Sequence, residues 1–242
     1  MKNIYITLLV LICTSFGVQE SQATLFDRGG GLLYDDVLNV TWLQDANYAK
    51  SSGFDADGKL GIYSARQWID DLEYYDSINH LTYDDWRLPT KLVDDLPFHF
   101  GWWTLGGSID PTPTQGPHTE LSYMYYVNLG LNGYLDTNGL WATNFGIHGD
   151  STSGGQENIG LVQNLQGSEY WLGFSMADVS NDYSIAPFTF TTNNGNHHTR
   201  SLDSFFVWAV RDGDIEPVPE PATLILLGSG LAGLAFYRRK RK

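Results

Sequence analysis

The chain has 242 residues and a formal net charge of −14 at pH 7, from 28 Asp and Glu against 14 Lys and Arg. Between residues 24 and 217 the balance is steeper, with eight basic residues against 26 acidic ones, a formal −18. A surface of that sign repels phosphate backbones and excludes nucleic acid as a partner, while it suits divalent cations, basic partners and solubility outside a cell.

In chain order, the first segment reads as a secretory signal. Lys2 supplies a positive start, 4–13 is a nearly unbroken apolar run, and Ser21-Gln22-Ala23 offers the small residues that a signal peptidase reads. Cleavage is therefore expected after Ala23, which makes 1–23 a signal peptide. Ile12 stands before Cys13 where a lipoprotein signal wants a small residue, so lipidation is not expected. Once Cys13 is removed no cysteine remains, and with it go disulfides, thiol nucleophiles and cysteine-held metals. Stability then falls to packing, for which eight Trp and fourteen Tyr are available.

The stretch 32–43 predicts two short strands around the Asp35-Asp36 turn, with Val40 and Trp42 on one face. A loop rich in Ser, Gly and Asp follows over 51–61. Ser64 is placed to cap a helix running to about Tyr75, with Ala65, Trp68, Ile69, Leu72 and Tyr75 as its apolar stripe. After Trp86-Arg87-Leu88-Pro89-Thr90 a short helix over 91–96 is expected. The middle, 101–170, is dominated by Gly, Asn, Thr and Ser with brief apolar pieces such as 123–129. Runs at 170–174, 186–192 and 204–211, with a turn at 193–196, predict successive antiparallel strands. The fold class expected is α+β: one or two early helices and a loop-rich sheet.

The last segment has three parts. Val218-Pro219-Glu220-Pro221 is a stiff spacer, 222–237 is apolar and rich in small residues, and Arg238-Arg239-Lys240-Arg241-Lys242 is basic. At about 1.5 Å per residue a helix over 222–237 covers roughly 24 Å, short of a hydrocarbon core of about 30 Å, though snorkelling or thinning closes such a gap. The basic cluster is expected to stay cytoplasmic.

Candidate sites within the middle each admit two readings. Asp55-Ala56-Asp57-Gly58-Lys59 sets oxygen ligands at alternate positions, as a hard cation wants. Lys59 and Arg66 fall where an EF-hand needs oxygens, so an EF-hand is excluded, leaving an irregular calcium site on Asp55 and Asp57 or a solvated turn. Arg87 either satisfies its own loop or meets a ligand. Trp102 and Trp103, in glycine-rich sequence, either enter the core or stack on sugar faces. The doublets Asp35-Asp36, Asp70-Asp71, Asp84-Asp85 and Asp94-Asp95 are solvated surface or hide a carboxylate pair for glycoside chemistry. His197-His198 has no accompanying metal-ligand spacing, and no nucleophile elbow or phosphate-binding loop is present.

Two resemblances rest on these residues. The string VPEPATLILLGSGLAGLAFYRRKRK resembles the PEP-CTERM sorting signal of Gram-negative bacteria, in which an exosortase of the inner membrane recognises the tail on the way to the cell surface or extracellular matrix. The resemblance assigns recognition to Pro219, Glu220 and Pro221, with Arg238 and Arg239 opening the basic stop. Val40–Trp42, the helix around Trp68, Trp86-Arg87-Leu88-Pro89-Thr90, Tyr170-Trp171 and Phe206-Val207-Trp208-Ala209-Val210-Arg211 resemble the DUF1566, or Lcl C-terminal, domain over 24–214. That resemblance implies a C-type-lectin-like fold. It departs from the family at Leu172-Gly173-Phe174 and at Thr90-Lys91-Leu92-Val93. Together they imply a signal peptide at 1–23, a domain at 24–214 and a sorting signal at 215–242. The implied protein is a non-enzymatic surface or biofilm-matrix protein that binds polysaccharide and requires no cofactor. The alternatives are a purely structural matrix component and a glycan-active hydrolase.

Overall fold

A computed structural model describes residues 25–92, 119–134, 142–149, 152–175, 187–199 and 203–215. These residues are mostly β-sheet with few helices. The predicted signal peptide, the 93–96 part of the predicted 91–96 helix, Asp94-Asp95, Trp102, Trp103 and the tail from 216 lie outside them. Among the described residues no helix is long and apolar enough to cross a membrane.

Two sheets hold the core. The first contains β1 (Leu25–Gly29), β2 (Leu32–Asp35), β3 (Val40–Leu43) and, beside β3, the last strand β13 (Val210–Asp212). The second is ordered β11 (Asn196–Thr199), β10 (Pro187–Thr191), β9 (Glu169–Ser175), β12 (Ser204–Phe206) and β4 (Lys59–Gly61). Two hairpins, β5 (Tyr74–Asp76) with β6 (Leu81–Tyr83) and β7 (Gln156–Ile159) with β8 (Val162–Gln166), complete the set. The helices are α1 (Tyr48–Ser51), α2 (Ile62–Asp70) and α3 (Glu120–Tyr123), which runs on into a π-helical turn, Met124–Asn128.

The predicted hairpin at 32–43 forms, and its turn is made by Asp35, whose buried Oδ1 accepts the Val37 and Leu38 N–H groups. Only the predicted alternation fails: all four residues of β3 are buried, so both faces of that strand are covered. The helix at 64–75 is shorter and earlier than predicted. Strand β4 feeds straight into it, so extended Gly61, not Ser64, stands at its N-terminus, and it ends at Asp70. Ile62, Ala65, Trp68 and Ile69 are its buried stripe, whereas Tyr75 sits in β5 and is 58 % exposed. The run 204–211 breaks at Val207–Ala209, which lets one apolar segment serve both sheets, β12 in the second and β13 in the first. The pairing is also not uniformly antiparallel, because β12 lies parallel to β9. The 123–129 piece is helical: Thr119 caps it by accepting the Ser122 N–H, and the Ser122 hydroxyl oxygen accepts the Thr119 N–H in return.

Aromatic residues fill the space between the sheets. Trp42, Trp171, Trp208, Tyr125, Tyr170, Phe188 and Phe190 are fully buried, with Trp42 and Trp208 centred 4.9 Å apart. At the periphery Arg211 makes two hydrogen bonds to Asp85, at 2.7 and 2.8 Å, and lies over the Tyr83 ring. The hydrogen bonds from Arg211 hold the Asp85 carboxyl below the usual carboxylate range. A depressed acid stabilises the fold above its unfolded pKa of about 3.9 and loses that contribution as pH falls through the folded value. Asp85→Asn should therefore cost no more than about 1 kcal/mol at pH 7, since the Asp85 side chain is half exposed. In urea unfolding the gap to wild type should close below about pH 3.

Candidate functional site

The segment Trp86-Arg87-Leu88-Pro89-Thr90 is stitched into the molecule on three sides. Arg87 exchanges backbone hydrogen bonds with Val210 of β13 at 2.8 and 3.0 Å. The Gly173 N–H of β9 donates to the Pro89 carbonyl at 2.8 Å, and the Glu120 N–H of α3 donates to the Thr90 carbonyl at 2.9 Å. Lys91 then pairs with Thr119 in an isolated β-bridge, so the predicted 91–96 helix does not begin there.

Arg87 is the centre of this junction. Its Nη1 and Nη2 each donate to Glu120 at 2.7 Å, Nε and Nη2 donate to Asp212 at 3.0 and 2.5 Å, and Nη1 also donates to the Leu88 carbonyl at 3.2 Å. All five N–H donors are thereby engaged. Burial works against the Arg87 charge, but the Glu120 and Asp212 carboxylates outweigh it and raise the pKa further above its already high ordinary value. The Glu120 Oε2 also accepts the Thr90 N–H at 2.8 Å.

The loop, α2 and β9 together bound an open cleft of about 310 Å³ lined by Arg66, Ile69, Asp70, Arg87, Leu88, Thr90 and Gly173. Gly173 permits the close approach of β9, since a Cβ there would sit 3.2 Å from the Leu88 carbonyl oxygen. Of the two guanidinium groups in the cleft, Arg66 is exposed and has no acidic partner among the described residues. Tyr63, one turn earlier on α2 and 75 % exposed, and Asp70, one turn later, share its helix face. This face offers a flat ring, a cation and an oxygen acceptor in a row.

Sequence reasoning reached Arg87 but missed Tyr63, Arg66 and Gly173. It assigned Arg66 and Asp70 only to the solvated side of a helix. The available signal was spacing: Tyr63, Arg66 and Asp70 recur at i, i+3 and i+7, one face of a helix.

Asp55 and Asp57 lie in the tight loop between α1 and β4. Asp55 Oδ1 accepts the N–H groups of Asp57 and Gly58 at 3.0 and 2.8 Å, and Asp57 Oδ1 accepts that of Lys59 at 3.0 Å. Those backbone donors, from Asp57 first and then Gly58, hold the Asp55 carboxyl below its ordinary range. Asn47 is buried against the loop, and a Cβ on Gly58, whose φ is +84°, would collide with the Asn47 side-chain oxygen. His197 and His198 are neighbours on β11 and so point to opposite faces. His197 is buried beside Phe190 with Nε2 3.0 Å from the Thr119 hydroxyl. Among the described residues no group of three or more His, Cys, Asp or Glu is gathered in a way that would hold a metal ion.

Comparison with family models finds the PEP-CTERM protein-sorting motif at residues 217–242. Neither the curated proteins nor the solved structures contain a match to the chain, and the DUF1566 resemblance finds no support there. The motif implies that the chain is exported, is recognised by an exosortase, and is destined for the cell surface or beyond it.

Proposed function

We propose that the folded region is a non-enzymatic module that holds polysaccharide at the cell surface or in a biofilm matrix, with the cleft beside α2 as its binding site. The observation that carries this reading is one helix face on which Arg66 and Asp70 line the cleft and the exposed Tyr63 ring stands one turn before Arg66. Saccharides present flat apolar faces edged with hydroxyls and acidic groups. An exposed ring for the face, with a cation and a carboxylate to orient the edge, meets those requirements without any catalytic constellation. The C-type-lectin-like resemblance in sequence points the same way. Within this reading Trp102 and Trp103 add rings for longer chains, Arg87 keeps the cleft wall in place, and a calcium ion on Asp55 and Asp57 would stiffen the neighbouring loop. Signal peptidase removes 1–23, 222–237 holds the chain in the inner membrane for a time, and the exosortase passes it outward.

The purified protein is expected to bind its host's exopolysaccharide or members of a broad glycan panel. Tyr63→Ala and Arg66→Ala should each weaken that binding at least about tenfold, a loss of roughly 1.4 kcal/mol. Both side chains are exposed, so the melting temperature should stay where it is. A folded protein that binds no glycan in the presence or absence of calcium would overturn the reading in favour of a purely structural matrix component. A calcium-dependent rise in melting temperature, lost in Asp55→Asn, would place the ion.

A further inference from the structure

The fold holds the chain rigidly up to the edge of the sorting motif. The Gly213 N–H donates to the Asn39 carbonyl at 2.8 Å, and the Thr41 hydroxyl donates to the Gly213 carbonyl at 2.7 Å. Asp214 accepts two hydrogen bonds from Arg28 of β1, at 2.8 and 2.5 Å, and Ile215 is 2 % exposed. The motif begins at 217, so Glu216 alone separates a buried residue from the sorting signal.

We propose that the surface around this exit is a contact surface for the membrane-embedded sorting enzyme, so that the folded domain is part of what the enzyme must accommodate. The proposal rests on the sorting motif and is independent of the glycan reading. From Ile215 to Pro221 the chain can span at most about 22 Å, at roughly 3.3–3.6 Å per residue. A domain of this size has a radius of gyration of about 16 Å. An enzyme that clasps Pro219, Glu220 and Pro221 therefore stands closer to the exit than the domain is wide, and the two surfaces meet.

The patch fits such a partner chemically. Phe26 is 38 % exposed and Val37, in the β2–β3 turn, 49 % exposed. The Arg28 guanidinium lies over the rings of Phe26 and Tyr34, at 5.3 and 4.9 Å, while its charge is matched by Asp214. The Tyr34 hydroxyl donates to the Asn39 side-chain oxygen at 2.9 Å, which fixes the turn beside the exit. Phe26, Tyr34 and Val37 thus give an acidic domain an apolar area beside a neutralised ion pair at the one place where close approach is forced.

The test measures surface delivery of the full chain in cells carrying the exosortase. Phe26→Glu/Val37→Glu should lower the delivered fraction at least fivefold, with Val37→Glu alone giving a smaller loss in the same direction. Inserting a twenty-residue Gly-Ser linker between Ile215 and Glu216 should restore delivery of both variants, because the enzyme then no longer touches the patch. Delivery equal to wild type in the double variant would overturn the proposal, and so would a loss that the linker does not restore. Glycan binding by the same variants should be unchanged, which keeps this outcome separate from the fate of the cleft.

Discussion

Replacing Arg87 by methionine should destabilise the domain by about 3–5 kcal/mol in urea unfolding at pH 7, the range for stranding one member of a buried ion pair. Glu120 is the stranded partner. Its side chain is 6 % exposed, and without Arg87 its carboxylate keeps only the Thr90 N–H among the hydrogen bonds described above. Arg87→Met/Glu120→Leu should recover much of the loss, because removing both charges leaves no uncompensated one. The double variant should also bind glycan more weakly, since the side-chain contacts between 86–90 and α3 go with the pair and only the backbone ones remain. A single-variant cost below about 1 kcal/mol would mean that water screens the pair as it does at a surface.

The second large effect lies where the two sheets meet. Trp208→Ala should cost about 3–5 kcal/mol, the usual penalty for emptying a buried tryptophan site. The more telling comparison uses phenylalanine. Trp208 donates its indole N–H to the Leu43 carbonyl at 2.6 Å, whereas the buried Trp42 N–H has no partner among the described residues. Both rings are at most 1 % exposed, so the volume lost on Trp→Phe is the same. Trp208→Phe should then cost about 1–2 kcal/mol more than Trp42→Phe, because only the first breaks a buried hydrogen bond. Equal costs would show that the Leu43 bond contributes nothing net.

What could be read from sequence follows from the range over which each determinant acts. The β2–β3 hairpin and strands β9 and β10 were legible because their signals, an Asp turn and runs of aromatic residues, are local. The end of α2 was not, because the stripe Leu72 and Tyr75 appeared to extend is cut by tertiary packing: Leu72 is buried just past the helix and Tyr75 belongs to a hairpin. The split of 204–211 between two sheets depends on distant partners: β12 pairs with β9 and β4, and β13 with β3, about 170 positions away. The cleft was the least legible feature. Arg87 stood out through its motif, yet the motif's chemistry is spent on Glu120 and Asp212. Arg66, which has no acidic partner among the described residues, sits on a helix face with an ordinary polar pattern.

The placement of β13 beside β3 also sets a timetable. Leu43 and its partner Trp208 are 165 positions apart, and among the described residues no nearer strand pairs with that side of β3. A chain exported N-terminus first therefore delivers β3, destined for burial on both faces, long before the strand that completes its sheet. Closure waits until residue 212 has cleared the translocation channel, and the sorting motif follows only a few residues behind. Folding and sorting are thus nearly simultaneous events for this protein. A host that slows one of them by withholding the exosortase or by crowding the exit gives the open edge of β3 time to find a neighbour of its own kind.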